Sequence, residues 1–493
     1  MKRIWLLALF LCFTTSIASA QIRFSKYFGI DGFADIAGDV LVLGDSGYFT
    51  VTKSVDFFTV DTFGFAVTSI MLLRTDQYGD TIWTKIYRKK NYSIEFNTFA
   101  KTTNGYILVG SITDLVAYEN EQKGSYFGIW KLDEYGDTIS TKYYDINNGN
   151  DYSTQLIPTL DSGFMVVGQS CNQIQSGANC DFVMIKLDAN GTVQWHKTFS
   201  NTNTSFESGN SLTQLPNGDF FLVGYTQLNG LMKTFVVKTN SSGDLIWKKK
   251  IDLSPRESSR CILYNQDNNN LYLFGSYNSE VNGSGNSRGH IINIDTVGNL
   301  NWRKTYGGTE DNGYFSAVIE NKKIVVCGLT EIASKSQGWL ICINFQGDSL
   351  FQRTYTMTDK PQNLYSVKKT ELGFVMAGYA HDPVNIQAKS EAWLLKVDTF
   401  GCLTPGCQLV GINNIPFSRE EVKIYPNPAK DKIQISHSAN IISYRIADYT
   451  GKLMIEGSPE HTSVNISSLA PGAYVMQVLL EDGSQAFGKL LVE

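Results

Sequence analysis

Residues able to do chemistry are thinly spread along this chain. Its five histidines, His196, His290, His381, His437 and His461, never take the His-Glu-x-x-His spacing that sets two imidazoles on one helix face to hold zinc. No Gly-x-Ser-x-Gly elbow presents a nucleophile, and no Gly-x-x-x-x-Gly-Lys-Ser/Thr loop cradles a phosphate. Asp145, Asn147, Gly149 and Asp151 alternate as oxygen ligands do in some calcium loops, but the bidentate acid and fixed glycine of such a loop are missing, so a plain connection is the better reading. Carboxylates from distant loops could still be brought together by the fold, as glycoside hydrolysis requires. No cofactor is expected.

Cysteines and aromatic clusters carry more. Cys171 and Cys180 bracket a polar loop, and Cys402 and Cys407 bracket a Pro-Gly step; both pairs read as local disulfides of an exported protein. Cys327 and Cys342 flank one loop and either bridge it or sit as small buried side chains, the second being favoured, while Cys261 has no evident partner. The loop 53–66 holds Phe57, Phe58, Phe63 and Phe65. Tyr118 and Tyr126 lie in and beside the loop 111–125. The phenylalanines either tuck under their loop, the favoured reading, or form a platform for a sugar ring or a partner protein, and Tyr118 and Tyr126 are further candidate binding-loop residues.

The elements that must position these residues recur. A strand of apolar residues followed by a small one closes at Thr52, Gly110, Gly168, Gly224, Gly275, Gly328 and Gly378, a period of about 54 residues, which signals stacked or radial units. A turn follows at Gly79, Gly136, Gly191, Gly243, Gly298, Gly347 and Gly401, where glycine permits a positive φ. A third landmark, aromatic-x-basic-x-apolar, comes after six of these turns: Trp83/Lys85/Tyr87, Ser140/Lys142/Tyr144 with its aromatic missing, Trp195/Lys197/Phe199, Trp247/Lys249/Ile251, Trp302/Lys304/Tyr306 and Phe351/Arg353/Tyr355. The seventh copy, Phe24/Lys26/Phe28, stands alone at the other end of the repeats. The expected fold class is therefore all-β, a seven-bladed β-propeller over 21–407 closed by its N-terminal strand. Tight turns fall on one face. Long, dissimilar loops (53–66, 111–125, 169–180, 276–289, 379–391) share the other, which is the expected binding surface.

Composition agrees with an exported all-β protein. Lys+Arg number 42 against 47 Asp+Glu, so no clustered positive charge offers a nucleic-acid footprint. Residues 1–20 have a Lys2-Arg3 start, a short apolar run and Ala18-Ser19-Ala20, the pattern of a secretory signal peptide. No later run is long enough to span a bilayer as a helix. After a linker at 408–421, residues 422–493 lose the repeat and alternate as a small sandwich of about seven strands, Ig-like in kind.

Two resemblances follow from these motifs. Asn217-Gly218, Leu222-Val223-Gly224-Tyr225-Thr226 and Lys186-Leu187-Asp188-Ala189-Asn190-Gly191 resemble secreted bacterial β-propeller repeats of the SBBP kind. That likeness speaks for fold more than for function, since propellers bind, scaffold and catalyse alike. The turn-to-tryptophan stretch Asp295 to Trp302 is similar to the tryptophan-docking motif of quinoproteins, with the Asp-to-Gly spacing one residue short, and is read as packing between units. At the C-terminus, Tyr425-Pro426-Asn427-Pro428, Asp448-x-x-Gly451-Lys452, Leu469-x-x-Gly472-x-Tyr474 and Gly488-Lys489-Leu490-Leu491-Val492 resemble the type A sorting domain of the type IX secretion system. It implies the type IX machinery as a partner, export across the outer membrane, and a sorting motif made of Tyr425, Pro426, Asn427, Pro428, Gly472, Tyr474, Lys489, Leu490 and Val492. The part ahead of it is expected to be a non-enzymatic binding or adhesion module for glycan or protein. A polysaccharide hydrolase or lyase, and a structural surface component, are the alternatives.

Overall fold

Alternating apolar residues with β-branched and aromatic side chains commit most of the chain to strands, and in the computed structural model every element lying wholly among the described residues is a strand apart from one short 3-10 turn, Gly44–Ser46. It describes residues 22–493 except 31, 61–65, 90, 117–123, 148, 173–178, 203–204, 281–284, 358–359, 382–388, 405–406, 408–421, 438–439, 449–452, 459–462 and 482–484. The signal-peptide and linker stretches, with Phe63, Phe65 and Tyr118, lie outside the described residues. Two compact units divide between Gly401 and Cys402, ahead of the Cys407 boundary expected from sequence.

In the first unit the described strands form seven four-stranded antiparallel sheets, a propeller-like arrangement. Six take their strands in chain order, over 34–87, 92–144, 150–199, 206–251, 256–305 and 312–355. In the seventh, Asn363–Thr370, Gly373–Ala380 and Glu391–Val397 are joined by Phe24–Phe28, which lies antiparallel to Glu391–Val397 with Phe24 opposite Lys396 and Phe28 opposite Ala392. The first strand of each sheet packs against the first strand of the next, and Asn363–Thr370 packs in turn on Ala34–Val42.

The three repeated landmarks turn out to be parts of one contact. Each turn glycine meets the aromatic of the preceding sheet's fourth strand: a Cβ at Gly136 would fall 2.6 Å from Trp83, at Gly243 2.6 Å from Trp195, at Gly347 2.8 Å from Trp302 and at Gly79 2.8 Å from Phe24. Where Ser140 replaces the aromatic, the space above Gly191 is filled by Ile107 and Ile129. The basic residue reaches the acid after the glycine, as in Lys26–Asp80 (2.7 Å), Lys197–Asp244 (3.0 Å) and Lys304–Asp348 (2.8 Å). The third position adds a phenol to the turn carbonyl, Tyr355 to Gly401 at 2.7 Å. Six of the turns are also tied internally: Oδ1 of the leading Asp or Asn accepts the amides two and four residues on, as Asp295 does from Val297 and Asn299, and in the seventh Asp398 Oδ1 accepts the Phe400 amide.

The glycines that the sequence suggests as strand ends lie inside their strands. Phe220–Leu228, for example, runs four residues past Gly224. Opposite each glycine the first strand carries a β-bulge, at Asn97, Thr154, Asn210, Arg260, Phe315 and Tyr365. The bulged strand's carbonyl would touch any Cβ there, Ser208 O at 1.9 Å for Gly224 and Ser258 O at 1.9 Å for Gly275. In the first sheet the extra residue is itself Gly38, and Thr52 takes the glycine's place. Bulging frees a backbone amide, which the neighbouring sheet accepts: Leu156 N–H on Thr98 Oγ1 (2.9 Å), Leu212 on Gln155 Oε1 (2.8 Å) and Ile262 on Ser211 Oγ (3.2 Å). Gly224→Ala is therefore expected to destabilise toward the upper end of about 1–3 kcal/mol. Gly308→Ala, with open space around it and no positive φ, is the control expected to change little. Equal melting temperatures for the two variants would defeat this account.

Strand extension also corrects the loop 53–66. Tyr48–Val60 continues as strand through Phe57 and Phe58, pairing Val60 with Ala66 after an irregularity, because the polar residues Lys53, Ser54 and Asp56 find partners on neighbouring elements, in Glu95, Asp35 and Arg88. The second unit holds a three-stranded sheet (Lys423–Tyr425, Lys432–Ser436, Ser463–Asn465) and a four-stranded one (Leu453–Gly457, Ile441–Asp448, Gly472–Leu480, Gln485–Val492) sharing one apolar core that includes Ile433, Ile446, Met476 and Leu490. That is the seven-strand sandwich expected.

Candidate functional site

The bulges do more than bend the first strands, for they set single side chains from neighbouring sheets beside one another. Arg260 of the fifth sheet lies over the Phe315 ring of the sixth, its guanidinium carbon 5.2 Å from the centroid. Phe315 meets Tyr365 of the seventh sheet edge-on at 4.9 Å, and Tyr365 meets Tyr379 at 6.1 Å. Phe206 and Tyr225 of the fourth sheet stack at 6.0 Å, and Tyr225 and Tyr365 both act electrostatically on Arg260. Arg260 is exposed, yet the protein crowding it holds its pKa below the usual arginine range by desolvation. Among the described residues no carboxylate forms an ion pair with it. The guanidinium is thus poised for an anionic group, with aromatic faces beside it.

Deeper along the same strands, Lys368 Nζ pairs with Asp39 Oδ1 at 3.1 Å, and Ser366 donates to the same oxygen. Burial opposes the charge on Lys368, but Asp39 and the thiols of Cys261 and Cys327 outweigh it and raise its pKa. These thiols are themselves buried and free, and burial raises Cys261 to about 11. Cys342 is likewise free and buried, which decides between the two readings left open for Cys327 and Cys342.

Several acids suggestive of catalysis serve the connections between sheets. Asp151, fully buried, accepts the Ile146 amide at 3.1 Å and the Ser170 hydroxyl at 2.5 Å. Asp35 accepts the Ile30 amide and Ser54, and Glu257 accepts the Leu253 amide at 2.7 Å. Glu257 stands 4.0 Å from His290 Nδ1, with Arg303 over Tyr277 at 4.0 Å. Burial raises the Glu257 pKa and lowers that of His290 to about 3, so the imidazole is neutral at physiological pH. Both side chains are sealed from solvent, which fits an internal brace rather than a ligand site.

The residues singled out by sequence are distributed as follows. Disulfides link Cys171 to Cys180 and Cys402 to Cys407, the first joining directly opposed strand residues. Tyr126, half-buried, pairs with Ile112 within its sheet; it is not brought to Arg260. In the second unit, Asn427 gives its side-chain amide to Lys489 O (2.6 Å) and accepts the Leu491 amide (2.8 Å), so the Pro-Asn-Pro segment is stitched to the last strand. Ala429 bridges to Val492 in parallel. Tyr474 caps Ala470 O at 2.8 Å, Gly472 opens its strand, and Leu490 and Val492 are buried while Tyr425 and Lys489 are exposed. Sequence reasoning missed Arg260, Phe315 and Tyr365. The recurring glycine marks the level of each bulge in the partner strand, but no sequence signal marks these three side chains as neighbours.

Residues 423–493 match the family described as Secretion system C-terminal sorting domain. No curated protein matches the chain. Among solved structures, similarity is found to the phage phi92 endosialidase (10% identity, 96% of this chain and 87% of that one, TM-score 0.42), to Chaetomium thermophilum Sqt1 (11%, 76% and 98%, 0.41) and to an ulvan lyase bound to a GlcA-Rha3S saccharide (7%, 76% and 96%, 0.45). Among the described residues no helix is long and apolar enough to cross a membrane. The C-terminal region is a type IX secretion sorting domain, and the protein that carries it is exported to the cell surface or secreted.

Proposed function

We propose that the exported part is a closed seven-bladed β-propeller over 21–407, behind a signal peptide at 1–20 and ahead of a linker at 408–421. Its role is non-catalytic binding or adhesion toward an acidic glycan. The observation that carries this reading is the Arg260 guanidinium, without an ion pair among the described residues and set among Phe315, Tyr365 and Tyr225. Guanidinium forks suit carboxylates and sulfates, and flat aromatic faces suit sugar rings. A lyase would need a base beside the cation. The phenol of Tyr379 is held protonated by burial, which works against that role.

Full-length protein titrated with uronate-containing oligosaccharides tests the assignment. Arg260→Ala is expected to cost ~2 kcal/mol or more, roughly thirtyfold in Kd. Arg288→Ala, an exposed arginine elsewhere in the fifth sheet, is expected to leave Kd unchanged. Binding that survives Arg260→Ala would remove this site, and new reducing ends or unsaturated products would turn the reading toward an enzyme.

A further inference from the structure

A second set of uncommitted groups lies at the other end of the sheets, where the tight turns are. A cleft of about 760 Å³ opens between the first and second sheets, within the size range of small-molecule sites. Its walls include Trp83 of the first sheet and Lys101, Asn104, Tyr106, Glu134 and Tyr135 of the second. Other charged groups in the wall are already engaged: Arg74 donates to the carbonyls of Ser46 (2.6 Å) and Tyr48 (3.2 Å), and Asp133 Oδ1 accepts the amides of Tyr135 and Asp137. The side chains of Lys101, Asn104 and Glu134 make no hydrogen bond or ion pair among the described residues.

Tyr135 is 63% exposed although it is a large aromatic, and Tyr78, at the same position of the preceding sheet's turn, is 53% exposed. Both occupy the residue just before the turn glycine, and neighbouring turns are fixed relative to one another by the docking of Trp83 on Gly136. The fold therefore repeats one aromatic platform on consecutive sheets. A repeated platform fits a repeating ligand. Around it stand one ammonium, one carboxylate and one amide, a set with no net charge that can donate to and accept from hydroxyl groups.

We propose that this cleft is a binding site for a neutral linear glycan, with a sugar ring on Tyr135, hydroxyl contacts to Lys101, Asn104 and Glu134, and the chain continuing toward Tyr78. The site is separate from the Arg260 cluster and rests only on the reading of the exported part as a glycan binder.

Calorimetric titration of the full-length protein with neutral gluco-, xylo- and manno-oligosaccharides is the test. Tyr135→Ala and Lys101→Ala, both at exposed positions, are each expected to weaken binding about tenfold, while Arg260→Ala leaves it unchanged. Uronate binding should show the opposite dependence, so failure of one site is distinguishable from failure of the other. The proposal is overturned if no neutral oligosaccharide binds, as when a protein ligand fills the cleft instead. It is equally overturned if neutral sugars bind with unchanged affinity to Tyr135→Ala.

Discussion

Removal of Lys489–Glu493 is expected to abolish export and hold the protein inside the outer membrane with its N-terminal unit folded. The first four of these five residues are the second half of the last strand, Gln485–Val492. Their loss takes Leu490 and Val492 out of the sandwich core, each large apolar side chain contributing ~1.5–3 kcal/mol when fully buried. It also strips Asn427 of both backbone partners. A small domain has little stability to spare, so the sorting surface should not form. Asn427→Ala is the subtler variant: it keeps the core, loses the two hydrogen bonds that hold the Pro-Asn-Pro segment, and is expected to lower secretion partially. Cell fractionation with antibody to the N-terminal unit reads both. Truncated protein reaching the surface or the medium in normal amount would show that the last strand is not needed for sorting.

Legibility in the sequence followed the range of the interaction. Trp302, Lys304 and Tyr306 could be read as a unit because all three touch one turn of the next sheet, around Gly347 and Asp348, and the same geometry recurs with the same residue types. The C-terminal motifs were legible for a similar reason, since Asn427 must meet a strand edge and Leu490 a core. Gly224 was visible but misassigned as a strand end, because a bulge in the opposite strand is a property of the pair and leaves no mark beside the glycine itself. Arg260, Phe315 and Tyr365 were hidden altogether. They are chemically unlike, about a repeat apart, and occupy corresponding bulge positions, so that only assembly of the sheets brings a cation and two rings together. Likewise the tight-turn end looked featureless in sequence, where Tyr78 and Tyr135 are ordinary turn residues until their exposure is known.

Deleting residues 22–30 is expected to lower the melting temperature by several degrees or more, the largest stability loss available to a terminal truncation of the first unit. The segment Phe24–Phe28 is the outer strand of the seventh sheet, and without it Glu391–Val397 becomes an unprotected edge. Phe24, buried against Tyr48 with ring centroids 5.8 Å apart, accounts for ~1.5–3 kcal/mol of apolar burial. Trp393, fully buried, loses the Ser25 hydroxyl that accepts its indole N–H at 2.8 Å, and a buried donor left without a partner costs a further ~1–3 kcal/mol. Arg23 leaves Asp398, whose side chain is 3% exposed, and that ion pair at 2.8 Å is the best shielded of those made by the segment. Lys26–Asp80, by contrast, is exposed and adds at most ~1 kcal/mol. A substitution series separates these parts: Phe24→Ala should reproduce much of the loss and Lys26→Ala little of it. Supplying the 22–30 peptide in trans should restore part of the melting temperature if the groove it leaves is otherwise intact. Unchanged melting of the deleted protein would mean that the N-terminal strand decorates the seventh sheet without tying it to the first.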